Sequence, residues 1–153
     1  MITHREVQKR AQEEIDRVIG SSRLPDLTDR PNLPYIDAIY RELLRHSPPV
    51  ALGIPHALAE DDVYKGYFLP KGIYHVEVHP FLTILIGAVV FANIWAMAHD
   101  ENVYPDPFTF KPERFLNVDG SLNDDNRILA YGFGRRQVSC RQRADKCSTN
   151  ILQ

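Results

Sequence analysis

Eleven prolines in 153 residues restrict this chain to short regular elements joined by long irregular stretches. Proline lacks a backbone N–H and its ring clashes with the preceding turn, so it ends helices and is kept out of central strands. Two helices fit between these stops. In the first, Val7, Ala11, Ile15 and Val18 follow at steps of four, four and three and make one apolar stripe. Thr3 and Glu6 have capping-box spacing at its start and Gly20 ends it. Glu6/Arg10 and Glu13/Arg17 are expected as ion pairs on its wet face. After the polar loop 21–32, Pro34 suits the first turn of a second helix, which Pro48-Pro49 stop. Ile36, Ile39, Tyr40 and Leu43 are its expected buried face. A self-contained domain of this length would show more regular periodicity, so the chain reads as part of something larger.

The remaining bounds are broad. The length suits about one domain, and 44% hydrophobic with 25% charged residues is ordinary for a globular protein. A formal net charge of -2 provides no basic field for nucleic acid. Cys140 and Cys147 are too few for a disulfide framework or a four-cysteine zinc site. Met1 to Arg5 resembles neither a signal peptide nor an anchor.

From Val50 to Leu58 the chain reads as extended, broken by Gly53 and Pro55. Asp62 to Leu69 alternates as a strand, and Pro70-Lys71-Gly72 is a turn. Ile73 to Gly87 is anomalous. His75, Glu77 and His79 would line one side of a strand, as in a metal-binding module, but Pro80 cuts it short. Phe81 to Ala98 is almost continuously apolar, at the lower limit of about 18 residues for a membrane span. Asn93 and Trp95 weigh against that span. Asn93 to His99 suits a short helix, Tyr104 to Phe108 an extended proline-ruled segment, and Asp119-Gly120 a turn in a polar loop.

Two places carry chemistry. Glu42 and Arg45, three apart on the second helix, share a face. They form either a solvent ion pair worth a fraction of a kcal/mol or a buried pair that pins another segment. The other is Ala130-Tyr131-Gly132-Phe133-Gly134-Arg135-Arg136, with Cys140 after it. Gly132 and Gly134 can adopt positive φ and let a bound group approach the backbone. The arginines suit carboxylates, and their charge favours the thiolate form of a nearby cysteine, the form that binds metal.

In this order the pieces resemble the C-terminal portion of a cytochrome P-450, a haem-thiolate monooxygenase, and fungal members most. Glu42-Leu43-Leu44-Arg45 is similar to the family's E-x-x-R, and Pro112-Glu113-Arg114-Phe115 to its P-E-R-F. Phe133-Gly134-Arg135-Arg136 resembles the run into its cysteine loop. Pro55-His56, the segment 62–67, Pro70-Lys71-Gly72, the segment 93–100 and Tyr104-Pro105-Asp106-Pro107-Phe108 also fit in order. The resemblance implies a mainly α fold with small β elements (α+β), truncated and carrying an insertion. It implies haem as cofactor, a reductase as electron donor, a small organic substrate, and insertion of one oxygen atom from O2. It implies a buried structural triad of Glu42, Arg45 and Arg114. Arg136 and His56 would bond haem propionates, Phe133 and Gly134 would flank the cofactor, and a cysteine thiolate would ligate iron. By analogy with the family the full enzyme sits at the endoplasmic reticulum membrane; without the family's anchor the chain would be cytoplasmic.

The departures are as specific. The pattern F-G-x-G-x-R-x-C places the cysteine at Val138, whereas the cysteine stands at Cys140. Residues 137–153 read as a disturbed C-terminus. Deleting 73–87 joins Gly72 to Ala88 and restores the family's strand, so this segment reads as a translated intron. No A/G-G-x-D/E-T segment precedes Thr3, so the family's proton-delivery machinery and most of its pocket are expected outside this chain. Three readings stand beside a monooxygenase: a remnant without haem chemistry, a small single-span membrane protein on 81–98, and a metal module on His75 and His79.

Overall fold

The computed structural model describes residues 4–72, 74–79, 82–86, 89–125, 127 and 129–132; for 74–79 and 82–86 it describes the backbone alone. The chain divides into two compact units, Leu52–Asn93 and the combination of Met1–Ala51 with Ile94–Gln153. Short helices and two-stranded sheets make it an α+β structure.

In the discontinuous unit, α1 (Arg5–Val18) and α2 (Pro34–His46) supply the framework. Helix α1 starts after His4 without a side-chain cap, and the Thr3 half of the expected capping box lies outside the described residues. It ends at Gly20, whose φ of 75° suits glycine and whose N–H returns to the Asp16 carbonyl. Ala11 is buried with Tyr35 and Ile39 of α2, and Val7, Ile36, Phe110 and Leu116 pack around them. The expected ladder of surface pairs on α1 is replaced. Arg10 reaches Glu113 far along the chain, and Arg17 lies 3.9 Å from Glu14. An exposed i,i+4 pair gains so little that a better-placed partner displaces it.

On α2 the buried stripe differs from the expected one. Ile39 is buried, but Leu43 is 53% exposed, and Tyr35, Ala38, Glu42 and Arg45 are the residues turned inward. Ala38 has no exposed surface and packs with Tyr104 and Phe115 in a second cluster, one turn from Glu42. Helix α3 (Ile94–Ala98) is short, and Ile94 and Ala98 are its buried positions. Tyr104 to Phe108, expected to be extended, is a series of bends and turns with Asp106 at φ 51°. Pro112–Phe115 forms one 3-10 turn. Leu116 and Leu122 bridge across the Asp119-Gly120 turn.

In Leu52–Asn93, β1 (His56–Ala57) pairs antiparallel with β6 (Val89–Val90). The expected strand over 62–69 is instead a hairpin of β2 (Asp62–Tyr64) and β3 (Tyr67–Leu69). Lys65 and Gly66, at φ 50° and 84°, make the two-residue turn whose twist matches the strands it joins. A further hairpin joins β4 (Tyr74–His79) to β5 (Leu82–Ile86), with an irregular register between Glu77 and His79.

The apolar run Phe81–Ala98 is therefore divided among β5, β6 and α3. No described helix is long and apolar enough to cross a membrane, and the single-span reading is not favoured. Length alone suggested a span, but Leu82–Ile86 pairs with β4, Val89–Val90 pairs with β1, and α3 starts afresh at Ile94.

Candidate functional site

The site that the described residues build is centred on Glu42. Its side chain has no exposed surface, a position that a carboxylate holds only when its charge and lone pairs are matched. Arg45, one turn on, donates from Nε to Oε2 at 2.7 Å and from Nη2 to Oε1 at 2.9 Å. This fork-to-fork arrangement is the geometry in which guanidinium and carboxylate bond most strongly. Arg114 approaches from the Pro112–Phe115 turn, its Nε 3.3 Å from Oε1 and 3.2 Å from Oε2. The backbone N–H of Lys111 donates to Oε1 at 2.8 Å. One carboxylate thus binds two guanidiniums and a main-chain amide.

The outer faces of both arginines are also used. Arg45 Nη1 donates to the Ala98 carbonyl at 2.9 Å, fixing the end of α3. Arg114 Nη1 donates to Pro105 O at 3.0 Å, and Nη2 to Asp106 O and Thr109 O at 3.2 Å each. That explains how a turn-rich stretch with no ladder of its own keeps its shape. Among the two readings open for Glu42 and Arg45, the geometry is that of the buried pair.

The same helix holds the approach to the glycine-arginine stretch. Arg41 Nη1 donates to Asn123 O at 3.1 Å and Asp125 O at 2.8 Å, and the Tyr40 hydroxyl bonds to that of Tyr131. Tyr131 precedes Gly132, which adopts φ 73°. Beside this, Tyr104 is buried and bonded to Asp125. Burial pushes its phenol up, and the charge of Asp125 adds to that. The Arg45 and Arg127 guanidiniums lie 5.3 and 5.4 Å from its ring centre, within cation–π range.

A second buried carboxylate escapes sequence reading. Glu14 of α1 is 6% exposed and accepts the backbone N–H groups of Tyr35 and Ile36 at 3.0 Å each. These are orphan donors at the N-terminus of α2, where negative charge is favoured. Its signal was positional: Glu14 stands three after Ala11, inside the apolar stripe. Glu113 accepts from the Tyr35 hydroxyl at 3.1 Å and pairs with Arg10, so α1, α2 and the Pro112–Phe115 turn meet there. Arg41 was likewise unremarkable as sequence, and Tyr40, expected on the buried face of α2, is half-buried.

Of the other residues singled out, His56 lies exposed on β1 in Leu52–Asn93. Phe133, Gly134, Arg136, Val138, Cys140 and the 137–153 end lie outside the described residues. His75 and His79 lie on β4, whose side chains are not described. No group of three metal-binding side chains occurs among the described residues.

A family model for Cytochrome P450 matches residues 1–138. The cytochrome P450 monooxygenase claR of Ampulloclitocybe clavipes is 47% identical over 146 residues, covering 95% of this chain and 24% of that protein. Cytochrome P450 monooxygenase 105 of Postia placenta is 48% identical over 136 residues, covering 89% and 23%. Cytochrome P450 monooxygenase ppsD of Aspergillus oryzae is 45% identical over 140 residues, covering 89% and 24%. The chain spans about a quarter of the length of the curated relatives it matches.

Proposed function

The chain belongs to the cytochrome P450 family, and on that premise we propose that it is the C-terminal, haem-thiolate-supporting portion of a monooxygenase. The observation that carries this reading is the Glu42 site. It ties α2, the end of α3 and the 105–114 stretch together, while Arg41 and Tyr40 tie α2 to the residues leading into the glycine-arginine stretch. A metal-ligating cysteine is effective only when its loop is held rigidly, and this network holds the residues that lead toward it as far as Tyr131.

The donor set suits haem. Cys140 would offer a soft thiolate for iron, and Arg136 a cationic partner for a propionate carboxylate. Phe133 and Gly134 would line the same stretch, an aromatic face and a residue that lets the backbone come close. When bound, haem supplies activation of O2 and transfer of one oxygen atom to an organic substrate, with electrons from a reductase. The task of this chain's own residues is narrower. Glu42 is the shared counter-ion of Arg45 and Arg114, and those arginines hold main-chain carbonyls. Arg136 would orient carboxylates, and Cys140 would hold iron as a thiolate. By analogy with the family, the setting we propose for the full enzyme is the endoplasmic reticulum membrane.

The two-residue displacement of the cysteine favours the competing reading, a remnant that binds no haem through sulfur. Haem titration of the purified chain, then reduction under carbon monoxide, separates the two. The expected result is a strongly red-shifted Soret band that Cys140→Ala abolishes. A band typical of histidine ligation, or one unchanged in Cys140→Ala, overturns the proposal.

A further inference from the structure

The β4–β5 hairpin is paired only with itself among the described strands. What matters is where the chain leaves for it and where it returns. The Gly72 N–H donates to the Leu58 carbonyl at 2.7 Å. In an antiparallel ladder such a bond joins residues directly across from one another. On the far side of the hairpin, Val89 lies opposite Ala57 and Val90 opposite His56. Leu58 directly follows β1, so the chain departs beside residue 58 and resumes opposite residue 57. Adjacent rungs are about 3.4 Å apart along a strand, close to the span of one residue.

We infer that residues 73–88 are an optional segment, inserted into a strand that is complete without it and absent from a second product of the same gene. Joining Gly72 to Val89 would let 72-89-90 run opposite 58-57-56 in register: 89/57 and 90/56 are already paired, and the 72/58 bond lies next to them. Removing only 73–87 leaves Ala88 as one extra residue, which a β-bulge absorbs. Gly72, at φ 70°, is the point where the chain turns out of the ladder. The inference stands on this ladder and is independent of whether the chain binds haem.

The test has a message arm and a protein arm. Amplifying the transcript across codons 72–89 should yield a shorter product that joins codon 72 to codon 88 or 89, alone or beside the longer one. Recovery of the longer product in every clone overturns the inference. The protein arm compares amide hydrogen exchange at 56–58 and 89–90 in the full chain with chains lacking 73–88 or 73–87. Protection in at least one deletion variant equal to that of the full chain supports it. Loss of protection in both overturns it, because the ladder would then need the hairpin.

Discussion

Replacing Glu42 by alanine tests the central site most directly. The substitution leaves Arg45 and Arg114, whose side chains are 3% and 9% exposed, without their shared counter-ion. Removing one partner of a buried ion pair costs about 3–5 kcal/mol, because the remaining charge stays desolvated. The Lys111 N–H also loses its acceptor, a penalty of about 1–3 kcal/mol on its own. These contributions overlap, since relaxation that admits water to one group admits it to the others, so the expected loss is about 4 kcal/mol. Domains are stable by about 5–15 kcal/mol, so this is a large share of the whole. The assay is urea unfolding followed by fluorescence of the single tryptophan, Trp95, which lies in the same unit as Glu42. With a denaturant slope of about 1–3 kcal/mol/M, the midpoint should fall by roughly 1.3–4 M. Glu42→Gln keeps the shape and one acceptor and should fall between alanine and the parent. The internal control is Lys9→Ala, which removes a pair exposed by 73% and 63% and should cost under about 0.5 kcal/mol. A Glu42→Ala midpoint as close to the parent as that control would refute the reasoning.

Two further outcomes follow from the same helices. Glu14→Ala removes the carboxylate that receives the Tyr35 and Ile36 N–H groups and should destabilise by about 1–2 kcal/mol, measured by the same urea titration. Glu14→Gln, which keeps an acceptor without the charge, should recover part of it. Burial, with the Glu113 charge adding to it, pushes the Tyr35 phenol from 10.0 up to about 12. The folded chain therefore keeps this proton while the unfolded chain releases it. The stabilisation is complete below pH 10 and is lost as the pH rises from there through about 12. Tyr35→Phe should flatten stability against pH in that window, and an unchanged slope would contradict the assignment.

Much of the fold was legible because its signals are local. The prolines and Gly20 placed the ends of α1 and α2, and each acts within its own few residues. What was not legible depends on partners distant in sequence. The apolar pattern of α2 proposed Leu43 for the interior, but the interior side is filled by Glu42 and Arg45, whose burial depends on Lys111 and Arg114. No scale of side-chain hydropathy ranks a glutamate above a leucine for burial. Glu14 escaped for the same reason: its worth lies in two amide groups of another helix. The hairpin at 62–69 was hidden by Lys65, a residue that seldom marks a positive-φ turn, although Gly66 beside it was the usable clue. In the long apolar run, length spoke for a span while strand pairing decided otherwise, and pairing is invisible to a count of apolar residues.

Besides pairing with carboxylates, the arginines around α2 grip main chain. Arg45 holds the carbonyl of residue 98, Arg41 those of 123 and 125, and Arg114 those of 105, 106 and 109. A carbonyl oxygen is present whatever amino acid carries it. The gripped segments are therefore free to change composition as long as their path is kept, while the gripping residues are not. Mutational freedom in this region is distributed unevenly: rigid demands fall on a few positions of α2 and on Arg114, and the carbonyl-bearing loop positions are left open to variation.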